Sequence, residues 1–247
     1  MRLAVFADIH ANLEALVAVL DDAAGRHVHR YFCLGDIVGY GPDPNGCIEL
    51  VRSLPRANCL AGNHDAAVTW RYSPYNMNRK ATEAIFWTMD QLTKKHSDFL
   101  EDLPLILPMG DMLFAHANPY NPGAYRYVLS SKYALRSFRA TRARLLFVSH
   151  THRPMIITRK NFFQVEFFEP QGEITCSLNP EKRHIINCGS VGQPRDRDPR
   201  ACYCILDTRK NTLEFRRVEY DIGQTAKKIQ RIDGLSDTLV QRLLQGK

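Results

Sequence analysis

A chain of 247 residues, 45% hydrophobic and 24% charged, is predicted to form one globular unit with a sizeable core. A membrane span is excluded by pattern, because the N-terminal apolar run is broken at Asp8 and no other run approaches about 20 residues. The net charge of +7 favours anionic partners. Arg26, Arg30, Arg136, Arg139, Arg142, Arg144, Arg216 and Arg217 are scattered rather than gathered in a tail, so solvated faces are their default reading; the expected partner is a small phosphorylated or nucleotide molecule, with nucleic acid not favoured.

Seven Cys occur without a C-x-x-C pair, which argues against a zinc ribbon and against a dithiol redox motif. Cys33 and Cys59 lie in apolar strand-like runs, and Cys202 and Cys204 are two apart, on one face of a strand. All four are expected in the core. The odd count, with no signal peptide, points to a reducing cytoplasm.

In chain order, Arg2-Leu3-Ala4-Val5-Phe6-Ala7 reads as a strand buried on both faces, ending in Asp8-Ile9-His10. Asn12 is placed to cap a helix with Leu13, Leu16, Val17 and Leu20 at helical spacing. Tyr31-Phe32-Cys33-Leu34 is the second strand and ends in Gly35-Asp36. Asp43 followed by Pro44 starts a second helix, with Cys47, Leu50, Val51 and Leu54 as its stripe. A third strand over 57–61 runs into Gly62-Asn63-His64-Asp65. Strand and helix alternate to this point, which predicts a parallel sheet covered by helices. Residues 66–110 are read as a helical insertion, with one helix marked by Ala81, Ile85, Thr88, Met89 and Leu92 and a short second one before Pro104. Residues 111–115 resume the strand pattern and end in His116; 145–148 do the same and end in Ser149-His150-Thr151-His152. A helix is expected around 131–140. Shorter alternating segments at 155–158, 162–168, 173–178, 184–188, 202–207 and 213–219 predict a second, largely antiparallel sheet. Two helices, near 224–231 and 236–245, close the chain.

Polar residues cluster where these strands stop. Asp8 and His10, Asp36, Asn63 and His64, His116, and His150 and His152 each follow the carboxyl end of an apolar run, the edge where α/β proteins build ligand sites. Carboxylate and amide oxygens mixed with imidazole nitrogens suit Mn, Fe, Zn or Ni rather than Ca. Seven candidate ligands exceed the needs of one tetrahedral zinc and suit two cations sharing a carboxylate, about 3.5–4 Å apart as in phosphoester hydrolysis. Gly62-Asn63-His64-Asp65 taken alone also fits a loop in which Asn63 and Asp65 cap a turn and His64 faces water.

Asp8-Ile9-His10, Gly35-Asp36-Ile37-Val38-Gly39, Gly62-Asn63-His64-Asp65, Ala115-His116 and Ser149-His150-Thr151-His152 together resemble the five blocks of the calcineurin-like metallophosphoesterases, in family order. Asn187-Cys188-Gly189-Ser190-Val191-Gly192-Gln193-Pro194-Arg195 resembles a further block of the small bacterial branch, which includes phosphodiesterases and diadenosine-tetraphosphatase-like enzymes. Ala115 and Ser149 stand where the family usually has Gly.

The resemblance implies a four-layer α/β/β/α sandwich, with two packed, mainly mixed or antiparallel sheets flanked by helices. It implies one metallophosphoesterase domain over 1–247 that includes the 66–110 insertion. It further implies one metal on Asp8, His10, Asp36 and His152 and a second on Asp36, Asn63, His116 and His150, with Asp36 bridging and Mn the favoured ion. The implied reaction is hydrolysis of a phosphomonoester, phosphodiester or dinucleoside polyphosphate by metal-activated hydroxide, with His64 protonating the leaving oxygen and Asp65 orienting the imidazole or raising its pKa. Gly189 and Ser190 are candidates to cradle a phosphate and Arg195 to clamp it; a tight turn joining two strands is the alternative. Other readings are a protein phosphatase or nuclease on the same core, or a non-catalytic metal-binding scaffold. Tyr120, Tyr125, Arg126 and Tyr127 are expected to shape the cleft.

Overall fold

Alternate side chains of strand β1 (Arg2–Phe6) enter two different cores, and this stacks the molecule into layers. Ala4 and Phe6 pack against helices, whereas Leu3 and Val5, with Ala7 just beyond the strand, pack against a second sheet. The computed structural model describes residues 1–233, 235 and 237–247.

After β1 come α1 (Leu13–Ala24), β2 (Arg30–Cys33), α2 (Pro44–Ser53), β3 (Ala57–Cys59), α3 (Asn63–Val68), α4 (Arg79–Gln91) and α5 (Lys94–Glu101). Next are β4 (Ile106–Met109), β5 (Met112–Ala115), α6 (Ser131–Arg139), β6 (Leu145–Val148), β7 (Met155–Arg159), β8 (Val165–Phe168), β9 (Ile174–Ser177) and β10 (His184–Asn187). The chain closes with β11 (Ala201–Asp207), β12 (Thr212–Val218), α7 (Ile222–Gln230) and α8 (Asp237–Gln245). Residue 236, read as the start of the last helix, lies outside the described residues.

The strands form two six-stranded mixed sheets, ordered β3-β2-β1-β11-β12-β9 and β4-β5-β6-β10-β7-β8. β1, β2 and β3 are parallel in the first, and β5, β6 and β10 in the second. The aromatic stack Phe32–Phe114–Phe147, with centroids 4.2 and 5.1 Å apart, joins the two inner faces. Helices α1 and α2 cover the outer face of the first sheet through Leu16, Val19, Cys47 and Val51. Phe138 of α6 covers the second through Leu146 and Ile185. The expected four-layer α/β/β/α sandwich is therefore the fold.

Several local expectations change. The segments at 173–178, 202–207 and 213–219 are strands, but they extend the first sheet antiparallel rather than joining the second. Alternation within a strand does not encode which edge it joins. The strand expected at 162–168 spans only Val165–Phe168, and β4, which contains Pro108, was not expected. In α1, Val17 is 42% exposed and Val19 takes its place in the buried stripe, while Asn12 caps as expected, its Oδ1 accepting the Ala15 N–H at 3.1 Å. Cys202 and Cys204 are fully buried on β11.

Candidate metal centre

The polar edge is made where the parallel strands of both sheets end. The loops after β1 and β2 are laced by backbone hydrogen bonds, Asp8 N–H to Gly35 O at 3.0 Å and His10 N–H to Asp36 O at 2.9 Å. Those after β5 and β6 are joined through Ser149 N–H to His116 O at 2.8 Å. Asp8, His10, Asp36, His150 and His152 all adopt positive φ, between 50° and 67°. Such backbone costs on the order of 1–3 kcal/mol per residue outside glycine, although Asp and His tolerate it better than most.

All seven candidate ligands are buried: Asp8, His10, Asp36, Asn63, His116, His150 and His152. Asp8, His10, Asp36 and His152 converge as one group, and Asp36, His116 and His150 as another, the ligand atoms of each lying within 4.8 Å of one another. Asp36 belongs to both. Its Oδ2 lies 3.7 Å from His10 Nε2 and 3.4 Å from His116 Nε2, while its Oδ1 accepts the His64 backbone N–H at 2.8 Å. Gly62 permits this approach, because a Cβ there would lie 2.1 Å from Asp36 Oδ1.

The imidazole tautomers follow from what surrounds them. His10 Nδ1 meets the Val38 carbonyl at 3.3 Å, His152 Nδ1 the Gln193 carbonyl at 2.6 Å and His116 Nδ1 the Leu34 carbonyl at 2.9 Å. A carbonyl only accepts, so each Nδ1 carries a proton, and in neutral His10 and His152 the Nε2 presents a lone pair. Yet His10 Nε2 and His152 Nε2 face each other at 3.2 Å. Two lone pairs at that distance repel unless a cation lies against both. Asp8 Oδ1 and Asn63 Oδ1 are also buried without a hydrogen-bond partner, where an unsatisfied polar atom costs about 1–3 kcal/mol. Hard oxygen and borderline nitrogen donors, several of them unsatisfied, fit divalent transition metals.

The electrostatics of His10, His150 and His152 agree. Burial holds the His10 and His152 imidazoles well below their ordinary pKa and pushes His150 down to about 3, which keeps all three in the neutral form that can ligate. Burial pushes the Asp8 carboxyl up to about 7, against the lowering influence of His116. Burial also disfavours ionised Asp36, but the neighbouring His116 and His64 outweigh it and hold that carboxyl well below the usual range. For His116, burial is outweighed by Asp36, and the ring rises to about 9, so ligation through its Nε2 would release a proton.

His64 lines a cavity of about 340 Å3 in front of these groups. Its ring packs edge-on to His10 and tilted against Tyr40, with centroids 4.7 and 4.5 Å away, and burial lowers it to about 4. Its Nδ1 has no hydrogen-bond partner. Asp65 does not orient this ring. Its Oδ1 accepts the N–H groups of Ile37 and Val38 at 2.9 and 3.2 Å, and its Oδ2 accepts Gly62 N–H at 3.0 Å. Asp65 at the third position of α3 caps that helix and ties down the Asp36 loop, which leaves its carboxylate no free direction toward the imidazole.

Gly189 and Ser190 do not reach the cavity either. Gly189 N–H donates to Asn187 Oδ1 at 3.0 Å, Val191 N–H to Ala7 O at 3.0 Å and Gly192 N–H to Asp8 O at 2.9 Å; the Ser190 hydroxyl donates to Asp8 O at 2.9 Å. The segment is a buckle that fastens the Asp8 loop, and the N–H groups of Gly189, Val191 and Gly192 are already engaged. Arg195 does line the cavity. Tyr125 and Tyr127 also line it, with Tyr127 stacked on His150 at 4.3 Å, while Tyr120 lies under Arg136. Residue patterns gave no sign of Tyr40, which comes from the Gly-Pro-rich loop after β2, nor of the cavity-lining Arg242 and Lys247 near the C-terminus.

A two-sheet sandwich with paired Asp and His groups at the joined strand ends defines the metallophosphoesterase class. The chain belongs to the calcineurin-like phosphoesterase superfamily, whose domain matches residues 1–211. A metallophosphoesterase from Sphaerobacter thermophilus superposes with a TM-score of 0.89 at 39% identity, covering 100% of this chain and 99% of that one. An uncharacterized protein of Methanocaldococcus jannaschii is 40% identical over 251 residues, 99% of this chain and 98% of its own. A hypothetical protein from Pyrococcus horikoshii shares the fold with a TM-score of 0.79 at 20% identity, covering 100% of this chain and 98% of that one. No helix among the described residues is long and apolar enough to cross a membrane.

Proposed function

We propose that this protein is a cytoplasmic, dinuclear-metal-dependent hydrolase of phosphomonoesters or phosphodiesters. The observation that carries this reading is the pair of Nε2 lone pairs of His10 and His152 facing each other at 3.2 Å beside the unpartnered Asp8 Oδ1. Asp8, His10, Asp36 and His152 would hold one cation, and Asp36, Asn63, His116 and His150 the other, with Asp36 shared and Mn the favoured ion. When bound, such cations supply charge for the phosphoryl oxygens and acidify a water nucleophile.

The chain's own residues supply the rest. Backbone carbonyls of Val38, Leu34 and Gln193 orient three imidazoles, so the ligand set is organised before a substrate arrives. Arg195, held by Gln193 Oε1 at 2.8 Å and facing the cavity, binds the substrate phosphoryl group. His64 rests neutral because it is buried; an anionic phosphoryl group beside it favours the protonated ring, which then gives its proton to the leaving oxygen. Asp65 acts on His64 only through the helix that both occupy.

The test is Mn-dependent hydrolysis of p-nitrophenyl phosphate, bis-p-nitrophenyl phosphate and diadenosine tetraphosphate by wild type and His64→Ala. Turnover of at least one substrate, lost on chelation and restored by Mn, is expected. Absence of turnover with both metals bound would overturn the enzyme reading, and an unchanged His64→Ala rate on a poor leaving group would overturn the role of His64.

A further inference from the structure

The family match ends at residue 211, yet one wall of the cavity is built after it. Helix α8 buries Leu239, Val240 and Leu243 against Ala226 and Ile229 of α7, Ala81 and Ala84 of α4, and Tyr40. That packing presents Arg242 to the cavity. Beyond α8, Gly246 takes a φ of 61° and Lys247 N–H returns to Arg242 O at 3.0 Å, a Schellman closure of the helix. Arg197 N–H donates to Gly246 O at 2.8 Å, which pins the segment to the loop that carries Arg195. Lys247 thereby also lines the cavity.

Three cationic side chains, Arg195, Arg242 and Lys247, share this lining with one acidic side chain, Asp36, which belongs to the proposed metal centre. None of the three forms an ion pair among the described residues, although ion pairs engage the nearby Arg200 and Arg217. Like charges gathered around one cavity repel, and an anion placed among them relieves that repulsion. A single phosphoryl group held at the metal centre by Arg195 leaves Arg242 and Lys247 without a counter-ion. We propose that the cavity selects phosphoesters bearing a second phosphoryl group, held by Arg242 and Lys247 with Arg195 between the two groups. This inference rests on the proposed phosphoesterase reading and names the substrate class of that site.

The test is calorimetric, in excess Mn, with two ligands that cannot be hydrolysed: methylphosphonate and propane-1,3-bisphosphonate. Wild type is expected to bind the bisphosphonate at least tenfold tighter. In the double variant Arg242→Gln, Lys247→Gln the ratio should fall toward one, whereas Lys210→Gln, a charge removed at the exposed β11–β12 turn, should retain it. A wild-type ratio near one, a ratio kept by the double variant, or an equal loss in Lys210→Gln would each overturn the subsite. Because binding is read without turnover, a protein that hydrolyses nothing but shows the expected ratios would sink the hydrolase reading and support the subsite.

Discussion

Gly39 and His64 are in such close contact that a Cβ on Gly39 would lie 2.2 Å from Nδ1 of the imidazole. Gly39 also holds a φ of 88°, which side-chain-bearing residues rarely adopt. The last glycine of the Gly35–Gly39 block thus shapes the seat of the proposed acid. Gly39→Ala should displace the ring and lower kcat by about 10²-fold on an alkyl phosphate, in the range set by general acid catalysis. The loss should be much smaller on p-nitrophenyl phosphate, whose leaving group needs no proton. Steady-state kinetics on the two esters checks this, and an equal loss on both would contradict it.

Asp36 is shared by both ligand groups, so in the proposed dinuclear centre its removal should affect two cations at once. Asp36→Asn is expected to reduce Mn stoichiometry from two toward zero and kcat by at least about 10³-fold, because the shared negative charge is lost. Asn63→Ala should lower occupancy of one site only. Metal content after dialysis, measured by mass spectrometry, separates the two outcomes.

Ser149 stands where the family usually has glycine, and its hydroxyl lies 3.1 Å from His116 O and 3.2 Å from His116 Nδ1. This adds a hold on an imidazole already fixed by Leu34. Ser149→Gly should weaken Mn binding by about tenfold, the low end for an outer-shell partner of a ligand. A competition titration with a fluorescent chelator reads this directly, and unchanged affinity would reduce Ser149 to a packing residue.

Asp22 fastens α1 to the first sheet far from the metal centre, accepting from Arg26 at 2.9 Å, Tyr203 at 2.6 Å and Arg216 at 3.2 Å. Burial alone would raise its pKa, but those bonds outweigh it and hold the carboxyl at about 2. The folded value lies below the unfolded value of about 3.9, so this contribution is present above pH ~4 and is lost as pH falls toward 2. Asp22→Asn should cost about 1–2 kcal/mol at pH 7, allowing for partial solvent screening, and the difference should shrink through that acid window. Urea unfolding of both proteins at stepped pH measures it. A difference that persists unchanged to pH 2.5 would show that charge is not the cause.

The order of polar residues at strand ends was legible from the chain alone, because a buried strand must be apolar and must stop where Asp8, Asp36, Asn63, His116 and His150 begin. Spacing also identified the cap at Asn12 and the core cysteines of β11, since both are local consequences of backbone period. What tertiary structure alone decided is partnership. Asp65 reads as a neighbour of His64 in sequence, but helix α3 turns it toward three backbone amides instead. Gly189 and Ser190 read as a cradle, but the Gly189 N–H and the Ser190 hydroxyl are spent on Asn187 and Asp8. Strands β9, β11 and β12 join the sheet of β1, a choice made by long-range pairing that leaves no local trace. Arg242 and Lys247 are brought to Arg195 only by the docking of α8 on α4, α7 and Tyr40. Residue type and spacing determine which chemistry is available at each strand end; burial and packing between distant segments determine which of those groups remain free to use it.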